Sequence, residues 1–453
     1  MAPGSDGLSE MGTGGHRKQA SLLNGDAMGR WEDTFICLSS RPEVTLAFFK
    51  LLIPRGQELP KESRVPALRS TPGGQSQAFS PPLGTFPPSL PLSLYLLPSL
   101  LSSIPPNSGT TKIRILASRI CQVLKWERLD LEMEMTGRFQ EFMVKFSKTY
   151  NSQEEMIYRF KVFAQNMETS RILQDTELGT AQYGITPFSD LTESEFAKNI
   201  CTPALRPGPF GPTEPRRSFA TAPRFCDWRK KALSPVKNQG ECCSCWAFAA
   251  VSNIEALWKI HRNVNCSLSV QELVDCTYPS RGGCEGGYVW DALHYVFNKS
   301  GLSSSRLYPY VEKDQRCQKH KGRKLTKIDG YSVLPRDERY IANFVATQGP
   351  VTALMNIKIL KHYKTGIIQR SEGSCDPNWL DHVVLIVGFG EGKIRRGTWS
   401  GSYWIIQNSW GKKWGEQGYF RMERDSNTCG IAQYVTTAIL KDLGGKKPAV
   451  CPR

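Results

Sequence analysis

The spacing of apolar residues predicts helices in the middle of the chain. Between residues 139 and 167 they recur mostly every three or four positions: Phe139, Phe142, Phe146, Ile157, Phe160, Phe163 and Met167. This spacing places them on one face of each of two amphipathic helices. The polar segment GITPFSDLTESEF follows, and either Asp190 or Thr192 could cap a third helix there.

A nearly continuous apolar run predicts a buried helix further along. SCWAFAAVSNIEALWKIH (244–261) consists mainly of small and apolar residues, and SVQELVDC (269–276) predicts a second helix. The later segments GPVTALMNI, DHVVLIVGFG, SYWIIQNSW and GYFRMER are typical of strands separated by glycine-rich turns. Helices followed by antiparallel strands predict an α+β fold of two lobes, with a site in the cleft between them.

Two stretches show no sustained period. Residues 1–132 are rich in proline, serine and glycine, which predicts a disordered or atypical amino-terminal extension. Residues 201–224 carry six prolines and several arginines, as expected of an exposed, cleavable linker. The predicted organisation is therefore an extension (1–132), a helical segment (133–200), a linker (201–224) and a compact domain (225–453).

Charge and composition exclude some classes of partner. The chain has 453 residues and a net charge of +16, but the basic clusters at 320–324 and 393–396 are short and lack interleaved aromatic residues. This pattern favours solvated loops, so we expect no nucleic-acid partner. The Leu-rich stretch at 86–104 is interrupted by prolines, so we expect no integral membrane segment.

Cysteine usage indicates an oxidising compartment. Eleven of the fourteen cysteines fall from Cys226 onward, and their spread does not suit zinc ribbons. Two glycosylation sequons, at Asn265 and Asn298, agree with a secretory route, with the endoplasmic reticulum, the lysosome or the exterior as destinations. The first residues lack the apolar core of a signal peptide, so we expect an atypical amino terminus from an alternative exon or a faulty gene model.

Three separate segments carry residues suited to acyl transfer. QGECCSCW (239–246) opens the buried helix, and a cysteine in a first turn gains thiolate character from the helix dipole. His382 begins a strand and could serve as acid and base, Asn408 could orient its ring, and Gln239 could donate to an oxyanion. Cys242 and Cys245 also form a C-x-x-C pattern, but no βαβ unit surrounds it, which disfavours thioredoxin-like chemistry.

These residues stand in motifs that resemble the papain family of cysteine proteases. The resemblance runs from Cys226 to about Leu440 and includes GCEGGYVWDAL and NSWGKKWGEQGYF. Residues 139–196 resemble that family's inhibitory propeptide. The matching propeptide positions are Glu155, Arg159, Phe163, Asn166, Gln174, Gly184, Phe188 and Asp190.

The resemblance implies a papain-like two-lobe fold, a secretory-pathway zymogen and a role for each site residue. Cys245 would be the nucleophile, His382 the acid and base, and Asn408 the group that orients it. Gln239 would be the oxyanion donor, and Trp410 would shield the hydrogen bond between His382 and Asn408. Substrate would contact Gly286, Gly287, Tyr288, Val289, Leu354, Val383 and Trp410, with Tyr434 as a further candidate. At the second substrate subsite, a bulky apolar side chain of the substrate is then the expected preference.

The resemblance also implies covalent links and partners. The implied disulfides are Cys242–Cys284, Cys276–Cys317 and Cys375–Cys429. Whether Cys226 and Cys451 also form a disulfide is left undecided. Implied partners are protein and peptide substrates, the chain's own propeptide and cystatin-like inhibitors, with no cofactor and no metal. His261, His294 and His320 lack any such context and are read as structural.

Cys243 departs from the family, which has glycine at this position. A cysteine there could narrow the cleft, weaken the oxyanion geometry or form a regulatory disulfide. A catalytically weakened papain-fold protein that binds peptides or partners is therefore an alternative to a working endopeptidase. A second alternative is a released propeptide that inhibits proteases in trans.

Overall fold

The computed structural model describes residues 131–200, 222–278, 280, 282–318, 325–369, 375–393, 400–441 and 450–452. The chain divides into two compact units, residues 1–135 and 136–453, and the account below concerns the second. The predicted extension up to residue 130, residues 201–221 of the predicted linker and the basic cluster at 320–324 lie outside the described residues. Most of the cluster at 393–396 does so too.

The amino-terminal segment is helical, as its apolar spacing predicts. Residues 131–146 form α1, and Gln153–Thr176 form α2. The ring of Phe163 in α2 lies 5.3 Å from that of Phe139 and 5.2 Å from that of Phe142, and all three side chains are buried. Ile157 is 46% exposed, so its inclusion in the buried face was wrong. It lies in the second turn of α2.

A third helix, α3 (Glu193–Ile200), follows the short strand β1 (Gln182–Tyr183). Thr192 caps it: its hydroxyl accepts from the Glu195 backbone N–H at 3.2 Å, and Glu195 Oε2 accepts from the Thr192 N–H at 2.8 Å. This reciprocal pair is a capping box. Asp190, the other candidate, instead accepts from Lys148 Nζ and from the Tyr150 hydroxyl.

The helical lobe is built around one buried helix. After β2 (Cys226–Asp227), the lobe contains α4 (Cys245–Arg262), α5 (Val270–Thr277) and α6 (Val289–Asn298). Every residue from Cys245 to Val251 is buried, which confirms the predicted buried helix. Asn263 ends α4 in a left-handed conformation (φ 54°), and its N–H donates to the Lys259 carbonyl. Ser269 caps α5 by accepting from the Glu272 N–H at 2.9 Å.

The second lobe is a sheet with one unpredicted helix against it. Its elements are β3 (Gly330–Val333), α7 (Glu338–Thr347), β4 (Val351–Met355), β5 (Tyr363–Thr365), β6 (Ile367–Ile368), β7 (His382–Lys393), β8 (Ser400–Gln407), β9 (Tyr419–Glu423) and β10 (Val435–Ile439). The strand order is β3-β10-β4-β7-β8-β9-β6, and β2 also pairs with β7. Short 3₁₀ helices cover Lys358–His362 and Thr428–Gly430.

One strand pair departs from the antiparallel prediction. β6 pairs with β9 in parallel, while the other pairs of this sheet are antiparallel. Two whole strands, β7 and β8, separate β6 from β9 along the chain, so no tight turn forces them to run in opposite directions. β1 of the amino-terminal segment pairs with β5 in a separate two-stranded sheet.

Four disulfides join eight of the described cysteines, while Cys243, Cys245 and Cys266 are not in disulfides. Three are the pairs that the resemblance implies: Cys242–Cys284, Cys276–Cys317 and Cys375–Cys429. The fourth links Cys226 to Cys451 and so ties the start of the domain to its end. No helix within the described ranges is long and apolar enough to cross a membrane.

Candidate active site

Cys245 is the first residue of α4 and is almost completely buried. Its thiol therefore lies at the end of the helix where aligned amide dipoles favour a negative charge. The loop before it is held in place on both sides. Ser244 Oγ lies 2.7 Å from the Tyr310 hydroxyl, and that hydroxyl donates to the Gln239 carbonyl at 2.7 Å.

Two neighbouring strands bring His382 and Asn408 together. His382 begins β7, Asn408 directly follows β8, and the two strands pair in antiparallel register. His382 Nε2 lies 2.8 Å from Asn408 Oδ1, which also accepts from the Ser409 N–H at 2.8 Å. Because that oxygen can only accept, His382 donates from Nε2, and its Nδ1 faces the thiol side.

The charge state of His382 is controlled by two opposing effects. Burial by itself would lower its pKa, but attraction to the Cys245 thiolate and hydrogen bonds to Cys245 and Asn408 outweigh burial. The pKa of His382 therefore lies above its usual range. The attraction to the charge on Cys245 is the largest of these raising effects. Together these effects favour a thiolate–imidazolium pair.

Gln239 is buried beside the loop that precedes Cys245. Its Nε2 donates to the Cys242 carbonyl at 3.1 Å, and its Oε1 accepts from Ser409 Oγ at 2.6 Å. An amide nitrogen carries two hydrogens, and the bond to Cys242 uses one of them. The sequence analysis did not predict that Ser409 would hold the Gln239 side chain. The available signal was the position of Ser409 directly after Asn408.

Asp381, which precedes His382, is mostly buried. Its Oδ1 accepts from the Ile357 N–H at 3.0 Å. Burial raises the pKa of Asp381 to about 6, even though the positive charge on His382 acts in the opposite direction. A second group next to His382 therefore titrates in mildly acidic solution.

Trp410 covers the site on one side. Its ring lies 5.0 Å from that of His382, and it is 6% exposed. The ring centres of Phe188 and Phe196, from the amino-terminal segment, lie 5.1 Å and 5.7 Å from that of Trp410, in edge-to-face arrangement. The amino-terminal segment therefore packs against the wall of the site.

Comparison with known proteins assigns the chain to a family. A family model described as papain family cysteine protease matches residues 222–439, and one described as cathepsin propeptide inhibitor domain (I29) matches residues 139–196. Cathepsin W of Mus musculus is 41% identical over 338 residues, covering 71% of this chain and 91% of that protein. The chain belongs to the papain family of cysteine proteases.

Further relatives agree with this assignment to the papain family. Cathepsin F of Mus musculus is 38% identical over 313 residues, 69% of this chain and 66% of that protein. The solved digestive procathepsin L2 proteinase from Tenebrio molitor larval midgut is 31% identical, with a TM-score of 0.60, over 68% of this chain and 100% of that one. The segments CDWRK and SNTCGI also resemble cathepsin W. The chain is thus a cathepsin-type cysteine endopeptidase made as a zymogen, with a propeptide in the region 139–196.

The propeptide's signature residues hold its own elements together. Arg159 donates to Glu195 at 2.9 Å and to the Asp190 carbonyl at 3.1 Å. Asn166 Nδ2 donates to the carbonyls of Ser189 and Leu191 at 2.8 Å and 2.9 Å. These bonds hold α2 against the turn before α3 and against α3 itself.

The glycine segment packs directly on the start of α4. Gly286 has a φ of 98°, a conformation that suits glycine. A Cβ at Gly287 would lie 2.5 Å from the Tyr278 ring and 2.6 Å from the Trp246 ring, too close for any larger residue. The other predicted subsite residues meet nearby. Val289, Leu354 and Val383 share one hydrophobic cluster, and Tyr288 and Tyr434 pack against it.

Cys243 touches the propeptide. Its thiol donates to the Lys198 carbonyl at 3.2 Å, and its N–H donates to the Cys284 carbonyl at 3.2 Å. Cys243 is not in a disulfide, and it does not appear among the described residues with positive φ. A positive φ therefore does not call for glycine at this position.

Both sequon asparagines are accessible. Asn265 and Asn298 are exposed, on the surface of the helical lobe. Asn298 Nδ2 lies 2.6 Å from His294 Nε2.

Proposed function

We propose that this protease hydrolyses peptide bonds with Cys245 as nucleophile, His382 as acid and base, and Asn408 as the orienting group. The observation that carries the proposal is the hydrogen bond between His382 Nε2 and Asn408 Oδ1. It supports the assignment because it leaves Nδ1 for the thiol at the start of α4. A nucleophile, a base and a group that orients the base form the arrangement that covalent catalysis requires.

The reaction follows from these positions. The Cys245 thiolate attacks the peptide carbonyl, and the oxyanion that forms is stabilised by the Gln239 side-chain amide and the Cys245 backbone N–H. His382 then gives its proton to the leaving amine, so that the carbon–nitrogen bond breaks and a thioester remains. Water, deprotonated by His382, attacks the thioester and releases the acid and the thiol.

The propeptide would block this site until it is removed. Its Lys198 carbonyl accepts from Cys243, two residues before the nucleophile, and its Phe188 and Phe196 rings contact Trp410. Cleavage in the region 201–224 would separate the propeptide from the domain. Cystatin-like inhibitors would then compete with substrate for the same uncovered cleft.

Substrate preference would depend on the apolar cluster beside the site. Val289, Leu354 and Val383 are buried in the zymogen, with Tyr288 and Tyr434 against them. All are apolar or aromatic, so we propose that the second subsite accepts a bulky apolar side chain.

A secretory route would suit the covalent structure. Four disulfides form only in an oxidising environment, and both sequon asparagines are exposed to a glycosylating enzyme. We therefore propose the endoplasmic reticulum, followed by the lysosome or secretion, as the path of this chain.

The test is labelling of the processed protein with an epoxide that alkylates thiols irreversibly, followed by peptide mapping. We expect the label on Cys245, and a labelling rate at least about 100-fold lower in His382→Ala. His294→Ala, which removes an exposed histidine of the same domain, should label at the parent rate. Absence of label on Cys245, or label on Cys243 alone, would overturn the proposal and favour a protein that only binds peptides.

A further inference from the structure

Tyr310 bridges the two sides of the proposed oxyanion site. Its hydroxyl donates to the Gln239 backbone carbonyl at 2.7 Å and lies 2.7 Å from Ser244 Oγ, although these partners stand 71 and 66 positions earlier in the chain. Gln239 carries one proposed oxyanion donor in its side chain. Ser244 directly precedes Cys245, whose backbone N–H is the other. A single hydroxyl therefore contacts the chain next to both donors.

The hydrogens of this bridge can be assigned from its contacts. A phenol has one hydrogen, and Tyr310 gives it to the Gln239 carbonyl. The contact of 2.7 Å with Ser244 is then a hydrogen bond only if Ser244 donates to the phenol oxygen. The other acceptor near Ser244 Oγ is the Cys242 carbonyl, at the longer distance of 3.2 Å. The bonds therefore run in one direction, from Ser244 through Tyr310 to Gln239, and bonds in such a chain strengthen each other.

Ser244 makes this contact in place of a helix cap. It is the residue before α4, where a serine hydroxyl usually accepts from an N–H of the first helical turn. That capping bond is not made here, because the hydroxyl is directed at Tyr310 instead. An uncapped first turn keeps its amide dipoles directed at the site, where negative charge develops on the thiol and on the oxyanion. The orientation of Ser244 thus suits the reaction better than it suits the stability of α4.

Tyr310 is itself held by the two helices beside it. Its ring meets the ring of Phe248, in α4, edge to face with centres 4.9 Å apart. The N–H of the next residue, Val311, donates to Gln271 Oε1 at 2.9 Å. Gln271 lies in α5 and is completely buried. The position of the hydroxyl is therefore determined by α4 and α5, and all of these residues belong to the peptidase domain that remains after processing.

We propose that Tyr310 is a positioning residue for the oxyanion, and that its hydroxyl fixes the distance between the Gln239 side-chain amide and the Cys245 backbone N–H. Formation and hydrolysis of the thioester both pass through an oxyanion, so both steps depend on this distance. Donors that are already in place need no rearrangement during the reaction, whereas a mobile loop would have to reorder at each step. The inference rests on the proposed function, because it assumes these two donors.

The expected effect is smaller than that of losing a donor. Removal of a whole oxyanion donor lowers kcat by about 10²- to 10³-fold. Tyr310→Phe keeps both donors and the ring packing on Phe248, and it loosens only the distance between the donors. We therefore expect kcat to fall about 10-fold. KM should change little, because the affected interaction is made in the transition state and not with bound substrate.

The test compares two reactions of Cys245 in the processed protein. The first is hydrolysis of a fluorogenic dipeptidyl amide with leucine at the second subsite, which passes through an oxyanion. The second is alkylation by iodoacetamide, in which the thiolate displaces iodide from a saturated carbon and no oxyanion forms. We expect Tyr310→Phe to lower kcat about 10-fold while the alkylation rate, measured at Cys245 by peptide mapping, stays within about twofold of the parent.

The matched control is Tyr295→Phe. It removes a phenol hydroxyl from the same lobe, one that donates to Glu272 at 3.3 Å and is not part of the bridge. Both rates of Tyr295→Phe should equal those of the parent. A general effect of losing a buried phenol hydroxyl would lower them in both variants.

Ser244→Ala is a second variant of the same bridge. It removes the bond to Tyr310 but leaves the bond from Tyr310 to Gln239, so it should lower kcat less than Tyr310→Phe does. Added to Tyr310→Phe, it should cause no further loss, because the two side chains belong to one chain of bonds. If Tyr310→Phe does not fold, Ser244→Ala alone must slow hydrolysis without slowing alkylation.

The proposal is overturned if Tyr310→Phe hydrolyses the amide with the kcat of the parent. It is also overturned if hydrolysis and alkylation slow by the same factor, because the effect would then lie on the thiolate, or if the losses of the two variants are fully additive. These results leave the proposed function standing, since the parent still reacts at Cys245. A parent that reacts with neither reagent at Cys245 would contradict the proposed function and this inference together.

Discussion

Replacing Asp381 with asparagine should stabilise the zymogen at neutral pH and much less in acid. Asp381 is mostly buried, and its pKa is raised from 3.8 to about 6. A carboxyl whose folded pKa is raised stabilises the native state while it is protonated, and that contribution is lost as the pH rises through about 6. Asparagine cannot ionise, and its side-chain oxygen can still accept from the Ile357 N–H.

The magnitude follows from the shift. About two pKa units correspond to about 3 kcal/mol of stability lost by the parent on full ionisation. At pH 4 part of this loss has already occurred, because the unfolded carboxyl is half ionised there. Between pH 4 and pH 7 we therefore expect the stability of Asp381→Asn to gain about 2 kcal/mol relative to the parent.

Urea unfolding of the full-length Cys245→Ala chain, with and without Asp381→Asn, measures this difference at both pH values. Asp376→Asn is a suitable control, since Asp376 is exposed and also accepts a backbone N–H, from Asn378 at 2.8 Å. Because Asp376 is exposed and Asp381 is mostly buried, the gain of Asp376→Asn between the two pH values should be well below that of Asp381→Asn. A gain of less than about 0.5 kcal/mol for Asp381→Asn would refute a desolvated carboxylate at this position.

Two further predictions concern the peptidase domain. Glu338→Ala should lower the free energy of unfolding by about 2–4 kcal/mol in urea titrations, because the carboxylate accepts from Trp404 Nε1 at 2.7 Å and from the Asn427 N–H at 2.6 Å. Glu338→Gln, which keeps one acceptor, should lose less, and equal losses would contradict this account. Replacing Cys226 and Cys451 by serine opens a loop spanning 225 residues, which should cost up to about 5 kcal/mol in non-reducing urea titrations; an unchanged midpoint would argue against it.

Elements with a strong local pattern could be predicted from the sequence. The buried helix α4 follows from an uninterrupted apolar run, and α1 and α2 follow from their aromatic spacing. The helix α7 was not predicted, although Asp337 caps it and buried Tyr340, Ile341 and Phe344 follow at helical spacing. The candidate site could also be anticipated, because Cys245, His382 and Asn408 each stand in a long and specific motif.

Features that depend on which surfaces meet could not be read from the chain. Thr192 rather than Asp190 caps α3 because Asp190 is occupied by Lys148 and Tyr150, 40 or more residues earlier. Cys226 pairs with Cys451 because β2 and the chain terminus lie together, with the Asp227 N–H donating to the Pro452 carbonyl at 3.1 Å.

The sequence by itself determined the helices α1 to α5, the strands β4, β7, β8 and β9, and the types of residue available for chemistry, since these depend on neighbours along the chain. Only the tertiary structure decided what those residues touch. Cys243 looked like an extra thiol at an open cleft, yet it donates to the propeptide's Lys198 carbonyl. Lys361 and His362 had no distinctive local pattern, and their contacts arise from propeptide residues 168 to 195 positions away. Burial and charge at such distances are properties of packing, which no local pattern specifies.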